Sequence, residues 1–105
     1  MNVLFICNQN LNRSKTAEEI FKDRFNTKSA GLFNERPVTK IDLEWADLIF
    51  VMEDFQRTEI SKRFPELYMK KQILSLDIPD TFCYMKKDLI NLLNEKINQA
   101  ILTIH

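Results

Sequence analysis

Val3-Leu4-Phe5-Ile6-Cys7-Asn8-Gln9-Asn10-Leu11-Asn12-Arg13-Ser14-Lys15-Thr16-Ala17-Glu18 changes its hydrophobic pattern twice in a short span. Val3 to Ile6 is a continuous apolar run of strand length, the pattern of a parallel strand covered on both faces. A polar stretch follows. Beyond it Ala17, Ile20, Phe21 and Phe25 recur at spacings of three and four, the apolar stripe of a helix, with Glu18 and Glu19 near its positive end. The opening of the chain therefore reads as strand, short polar loop, helix.

The same alternation continues outward. Lys28 to Gly31 reads as a brief second strand and Ala46 to Met52 as a third. Asp54 is placed to cap a helix that carries Phe55, Ile60 and Phe64 and stops before Pro65. Gln72 to Leu76 reads as a fourth strand. Leu89, Leu93, Ile97, Ala100, Ile101 and Ile104 then keep one face of a final helix. Strands alternating with helices predict a small three-layer α/β sandwich, a parallel sheet with right-handed crossovers and helices on both sides. Ligands in such sheets gather outside the carboxyl ends of the strands, where strand order reverses. The loop after the first strand, which holds Cys7, is the place to look.

Composition narrows the function classes. The 105 residues, 45% of them hydrophobic, predict one domain spanning residues 1–105. Fifteen basic residues against fifteen acidic ones leave no net field to draw the protein onto nucleic acid or an anionic membrane. Any anion must be met by a local site. Cys7 and Cys83 are too few for a disulfide framework, and Val3 to Ile6 is too short for a signal core or a membrane span, so a cytoplasmic location is expected. The only histidine is His105, which leaves Cys/His and Ser/His pairs or a histidine metal site dependent on a frayed terminus. Glycine occurs once, at Gly31, where average usage of ~7% would supply about seven. Glycine does not build the loops of this protein.

The segment Cys7 to Ser14 has a physical use. A loop wrapped around a tetrahedral oxyanion turns successive backbone N–H groups inward, and the following helix adds its unpaired amides and positive dipole end. Arg13 can grip two oxygens at once through its planar fork. A cysteine among these donors is favoured as the thiolate, at once nucleophile and floor of the anion site. The Cys-x5-Arg spacing is weak evidence alone. It gains weight because the cysteine ends a buried-type strand and the arginine opens a helical pattern followed by Ser14. The bland alternative is a buried structural cysteine beside a solvated helix start.

At this point the chain resembles the low-molecular-weight protein tyrosine phosphatase family, whose signature is an apolar strand followed by Cys-x-Gly-Asn-x-Cys-Arg-Ser-Pro-x-Ala-Glu. Ser29-Ala30-Gly31, Ala46-Asp47-Leu48-Ile49-Phe50-Val51-Met52 and Ile78-Pro79-Asp80 look like later landmarks of that family in the same order. The resemblance implies a flavodoxin-like topology with four parallel strands in the order 2-1-3-4. It also implies a shortened segment between Gly31 and Trp45, where the family commonly has another helix and part of the substrate wall. Gln9 stands for the family glycine, Asn12 for its second cysteine, Lys15 for its proline, and Thr81-Phe82 for its Pro-Tyr. Asparagine tolerates positive φ better than most residues, so Asn8, Asn10 and Asn12 are expected to let the loop curl without glycine. With Asn12 in place of the cysteine, an oxidised Cys7 is expected to go further up the oxidation ladder or to find Cys83.

The resemblance implies a cysteine-dependent phosphatase acting on phosphotyrosyl proteins or small phosphate esters. Cys7 would be the nucleophile and Arg13 the anion clamp. Asn8, Gln9, Asn10, Leu11, Asn12 and Ser14 would form the substrate-binding loop, with Asn10 bracing it and the Ser14 hydroxyl serving the leaving thiolate. Without an internal histidine a carboxylic acid must move the proton. The resemblance favours Asp80, and Asp77 remains a competitor. No metal or cofactor is required, because amides and one arginine carry the electrostatic work. Phe33, Phe82 and Tyr84 are candidates for the pocket wall or for the core, and Trp45 reads as packing. Competing readings are an arsenate reductase-like enzyme, a sugar-phosphotransferase phosphocarrier, and a catalytically weakened phosphotyrosine-binding module. A monomer or weak homodimer is expected.

Overall fold

The computed structural model describes residues 1–104; the expectation about His105 and the side chain of Ile104 lie outside the described residues. Its frame is one parallel sheet of β1 (Asn2–Cys7), β2 (Asn26–Gly31), β3 (Leu48–Val51) and β4 (Gln72–Ser75), in the order β2-β1-β3-β4. The predicted topology and all four strands are present. Side-chain alternation explains why β1 reads as an unbroken apolar run. Val3, Phe5 and Cys7 enter one core, and Leu4 and Ile6 enter the other.

The first core lies under α1 (Arg13–Phe21) and α5 (Lys87–Ile104). Phe5 stacks between Phe50 and Phe21, with ring centroids 5.7 and 5.9 Å away, and Leu89, Leu93 and Ile97 close the layer from α5. Ala100 and Ile101 pack at its margin. The second core lies under α2 (Lys40–Trp45), α3 (Asp54–Arg63) and α4 (Pro65–Lys70), where Leu43 and Ile60 meet Leu4, Ile6, Ile49 and Val51. Trp45 packs at its edge with the Lys28 ammonium 4.5 Å from its ring. Among the described residues no helix is long and apolar enough to cross a membrane.

Four local expectations need correction. The stretch between Gly31 and Trp45 does contain a helix, α2, started by a capping box in which Thr39 Oγ1 accepts from Asp42 N–H and Asp42 accepts from Thr39 N–H. Pro65 begins α4 instead of only ending α3, since a first-turn residue has no intrahelical use for an N–H. Asp54 lies inside α3, and Glu53 occupies the cap position. Phe55 does not join the buried stripe; it is half exposed, and Gln56 takes the inward position.

Strand order fixes where a site can form. From β1 the chain steps to β2 on one side and then crosses to β3 on the other, so the loops leaving β1 and β3 diverge and leave a crevice between them. Cys7 ends β1, Glu53 follows β3, and Asp80 follows β4.

Candidate active site

The loop from Cys7 to Asn12 is held from outside. Leu32 N–H donates to the carbonyls of Cys7 and Asn8 at 3.1 and 3.0 Å, and Phe33 N–H donates to Asn8 at 2.9 Å. With those carbonyls turned toward the segment after β2, the N–H groups of Gln9, Asn10, Leu11 and Asn12 donate to no protein acceptor among the described residues. Orphaned amides in a row make an anion nest. Curvature comes from one residue. Asn10 has φ 56°, whereas Asn8, Gln9 and Asn12 stay out of the left-handed region, so the expectation that three asparagines share the bend is corrected to one.

The other two asparagines are ties. Asn8 Oδ1 accepts from Gln56 Nε2 at 2.9 Å, and Gln56 Oε1 in turn accepts the N–H groups of Met52 and Glu53 at 2.8 and 3.0 Å. One fully buried amide thus joins the β1 loop to the β3 turn. Asn12 precedes α1, yet its side chain caps no helical N–H. Its Oδ1 accepts instead from Tyr84 N–H at 3.0 Å. The first amides of α1 are left free, with the dipole's positive end behind them.

Cys7 and Arg13 are 3% and 1% exposed. Cys7 Sγ lies 2.9 Å from Ser14 Oγ, which donates to Asn10 Oδ1 at 2.7 Å. Arg13 spends Nη1 on the Glu53 carboxylate and on the Ile78 carbonyl, the latter at 2.7 Å, and its Nε stands 3.6 Å from Asp80 Oδ1. A guanidinium buried this completely needs a carboxylate to offset its desolvation, and Glu53 supplies it. Glu53 and Gln56 are site-supporting residues, one on Arg13 and one on Asn8, that spacing around Cys7 does not reveal. The only signal for them is the Glu-x-x-Gln pattern opening α3 after an apolar strand.

These side chains surround one cavity of about 60 Å³, lined by Cys7, Gln9, Leu11, Asn12, Arg13 and Asp80. Asn8, Asn10 and Ser14 are not among its lining residues; Ser14 joins Cys7 to Asn10, and Asn8 is tied to Gln56. Asp80 is 58% exposed at the rim. Asp77 is elsewhere, in a depression with Ser75, Lys96 and Gln99. Phe82 packs against the first core, and Phe82 and Cys83 line a separate depression with Thr81, Lys86 and Lys87. Phe33 and Tyr84 are half exposed, and the Arg63 guanidinium lies 5.1 Å from the Phe33 ring. Cys7 and Cys83 are both free.

No protein-family model matches the sequence, and no curated protein matches it. Solved structures do match. SP-PTP, a low molecular weight protein tyrosine phosphatase from Streptococcus pyogenes, superposes with a TM-score of 0.79 at 16% identity, covering 99% of this chain and 93% of its own. The tyrosine phosphatase Wzb from Escherichia coli K30, solved in complex with phosphate, gives 0.76 at 20% identity over 99% and 98%. The YwlE arginine phosphatase from Geobacillus stearothermophilus gives 0.74 at 22% identity over 99% and 97%. The chain has the fold of the low-molecular-weight phosphatases from end to end.

Proposed function

We propose that this protein is a cysteine-dependent phosphomonoester hydrolase acting on phosphotyrosyl proteins or small aryl phosphates through a phosphocysteine intermediate. The observation that carries this reading is the single cavity on which Cys7, Arg13 and Asp80 converge beneath a row of unpaired amides. It holds a nucleophile, an anion clamp and a proton source, and little else.

In the first step the Cys7 thiolate attacks phosphorus in line. The S–P bond forms, the P–O bond to the alcohol breaks, and Asp80 gives its proton to the departing oxygen. Arg13 and the loop amides hold the equatorial oxygens while charge redistributes over them. In the second step water attacks phosphorus, Asp80 takes its proton, and the S–P bond breaks to return the thiolate and release inorganic phosphate. Leu11, 63% exposed on the rim, offers apolar contact to an aryl group. The same contact offers nothing to a guanidinium, so an aryl ester suits this rim better than a phosphoarginine.

Hydrolysis of an aryl phosphate by wild type, with a phosphorylated Cys7 trapped by rapid quench and inhibition by vanadate, is the expected result. Cys7→Ser should abolish turnover. If wild type and Cys7→Ser are equally inert while phosphotyrosyl peptide still binds, the chain is a binding module and the reading is wrong.

A further inference from the structure

Residues 78–85 carry Asp80 between two anchors, and both run to the start of α1. At one end the Ile78 carbonyl accepts from Arg13 Nη1 at 2.7 Å, and Ile78 N–H donates to Met52 at 2.7 Å. At the other end two consecutive N–H groups are captured by side chains of α1. Tyr84 N–H donates to Asn12 Oδ1 at 3.0 Å, and Met85 N–H donates to Thr16 Oγ1 at 2.9 Å. Asn12 and Thr16 stand one helical turn apart, on the same side of the helix start. The Thr16 hydroxyl donates to the Asn12 carbonyl at 2.7 Å, which orients its lone pairs toward Met85.

The captured residues sit in a tight turn. Met85 has φ 58°, a left-handed conformation that an unbranched apolar residue rarely takes, at the third position of a turn that Lys86 N–H closes on the Cys83 carbonyl. Thr16 is fully buried, lines no part of the cavity and touches none of the proposed reacting groups. Its proton is already spent on the Asn12 carbonyl, and the lone pair that remains is used on Met85 N–H.

We infer that Asn12 and Thr16 form a latch that holds the segment bearing Asp80 over Cys7, so that Thr16 is a positioning residue for proton delivery. The inference rests on the reading above, in which Asp80 protonates the leaving oxygen. It predicts a specific signature. A leaving group that departs readily as the anion, such as a dinitrophenolate, needs no donated proton, whereas phenolate or an alkoxide does.

The experiment measures kcat/KM for phenyl phosphate and for dinitrophenyl phosphate in wild type, Thr16→Val, Thr16→Ser, Tyr84→Pro and Asp80→Asn. Thr16→Val keeps the side-chain shape but removes the acceptor. It should lower phenyl phosphate turnover roughly tenfold, a fraction of the ~10²–10⁴-fold that a placed acid contributes, and leave dinitrophenyl phosphate within about twofold of wild type. Thr16→Ser should restore the wild-type ratio. Tyr84→Pro removes the other captured N–H at the second position of the turn that Lys86 N–H closes on the Cys83 carbonyl, where proline is accommodated, and it should reproduce the split if Thr16→Val does not fold. Equal loss on both substrates in Thr16→Val and Tyr84→Pro, with a clear split in Asp80→Asn, overturns the latch alone. No split in Asp80→Asn overturns the assignment of Asp80, and the latch with it.

Discussion

The Ser14 hydroxyl stands between Cys7 and Asn10, 2.9 Å from the sulfur and 2.7 Å from Oδ1, and its one proton goes to the asparagine. With Cys7 as the thiolate that the proposed mechanism requires, a rotation of the Asn10 amide presents Nδ2 to Ser14, whose proton then turns to sulfur. On that mechanism the hydroxyl would serve the step in which the thiolate leaves phosphorus. Ser14→Ala should slow dephosphorylation by about 10- to 100-fold, the worth of a hydrogen bond to a charged group. Rapid-mixing kinetics should then show a burst of released alcohol followed by a slow steady state; an unchanged burst ratio would refute this role.

Asp80 and Asp77 are separated by position, one at the cavity rim and one in a depression with Lys96. Asp80→Asn should lower phenyl phosphate turnover by about 10²- to 10⁴-fold. Asp77→Asn should change turnover less than about twofold, within the ordinary effect of an exposed substitution. The reverse ranking would exchange their assignments.

Glu53 is the carboxylate that keeps Arg13 folded into the interior. Glu53→Gln should destabilise the ligand-free protein by about 1.5–3 kcal/mol, the range for a hydrogen bond to a charged group at a partly exposed partner. An anion in the cavity then supplies the missing negative charge. Vanadate should accordingly raise the melting temperature of Glu53→Gln more than that of wild type, and equal shifts would show that Arg13 does not face the bound anion.

Gln56 satisfies Glu53 N–H, shares Met52 N–H with the Ile6 carbonyl, and donates to Asn8, all from a fully buried position. Gln56→Leu fills the same space and leaves Glu53 N–H and Asn8 Oδ1 without Gln56, while Met52 N–H keeps the Ile6 carbonyl. A loss of about 1–3 kcal/mol in urea unfolding is expected. KM for aryl phosphate should rise because the Asn8 end of the nest loses its tie.

Gly31 is required for closeness and not for its backbone angles. A Cβ there would lie 2.7 Å from Asn34 Oδ1, an oxygen that is itself buried without a partner. Gly31→Ala should cost about 1–3 kcal/mol by overpacking beside the loop that Leu32 and Phe33 hold in place. A melting temperature unchanged from wild type would show that Asn34 moves aside freely.

Much of this was readable from residues close together in the chain. Val3 to Phe25 contains the central strand, the nest and the helix behind it, each marked by its own period, and the sheet order followed from alternation and resemblance. The remainder depends on contacts that have no periodic signal. Glu53 and Gln56 reach Arg13 and Asn8 across about forty residues, and nothing around Cys7 announces them. The choice between Asp80 and Asp77 turned on an irregular stretch after β4, where neither strand nor helix period registers. The short helices α2 and α4 were missed for a different reason, since each is only six residues and is signalled by its cap, Thr39 or Pro65, more than by an apolar stripe.

β1 precedes β3 and α5 in the chain yet lies in the interior of the sheet, and this order has a cost during synthesis. Its five buried residues Val3 to Cys7 have no β3 to lie against until residues 48–51 have been translated, and α5 covers their other face only from Leu89 onward. At ~5–20 residues per second the nascent chain spends several seconds with its most apolar segment, and its reactive thiol, uncovered. Protection of Cys7 from a thiol label should therefore arrive late and abruptly on ribosome-bound chains of increasing length. The proposed nucleophile is made before most of the residues that enclose it.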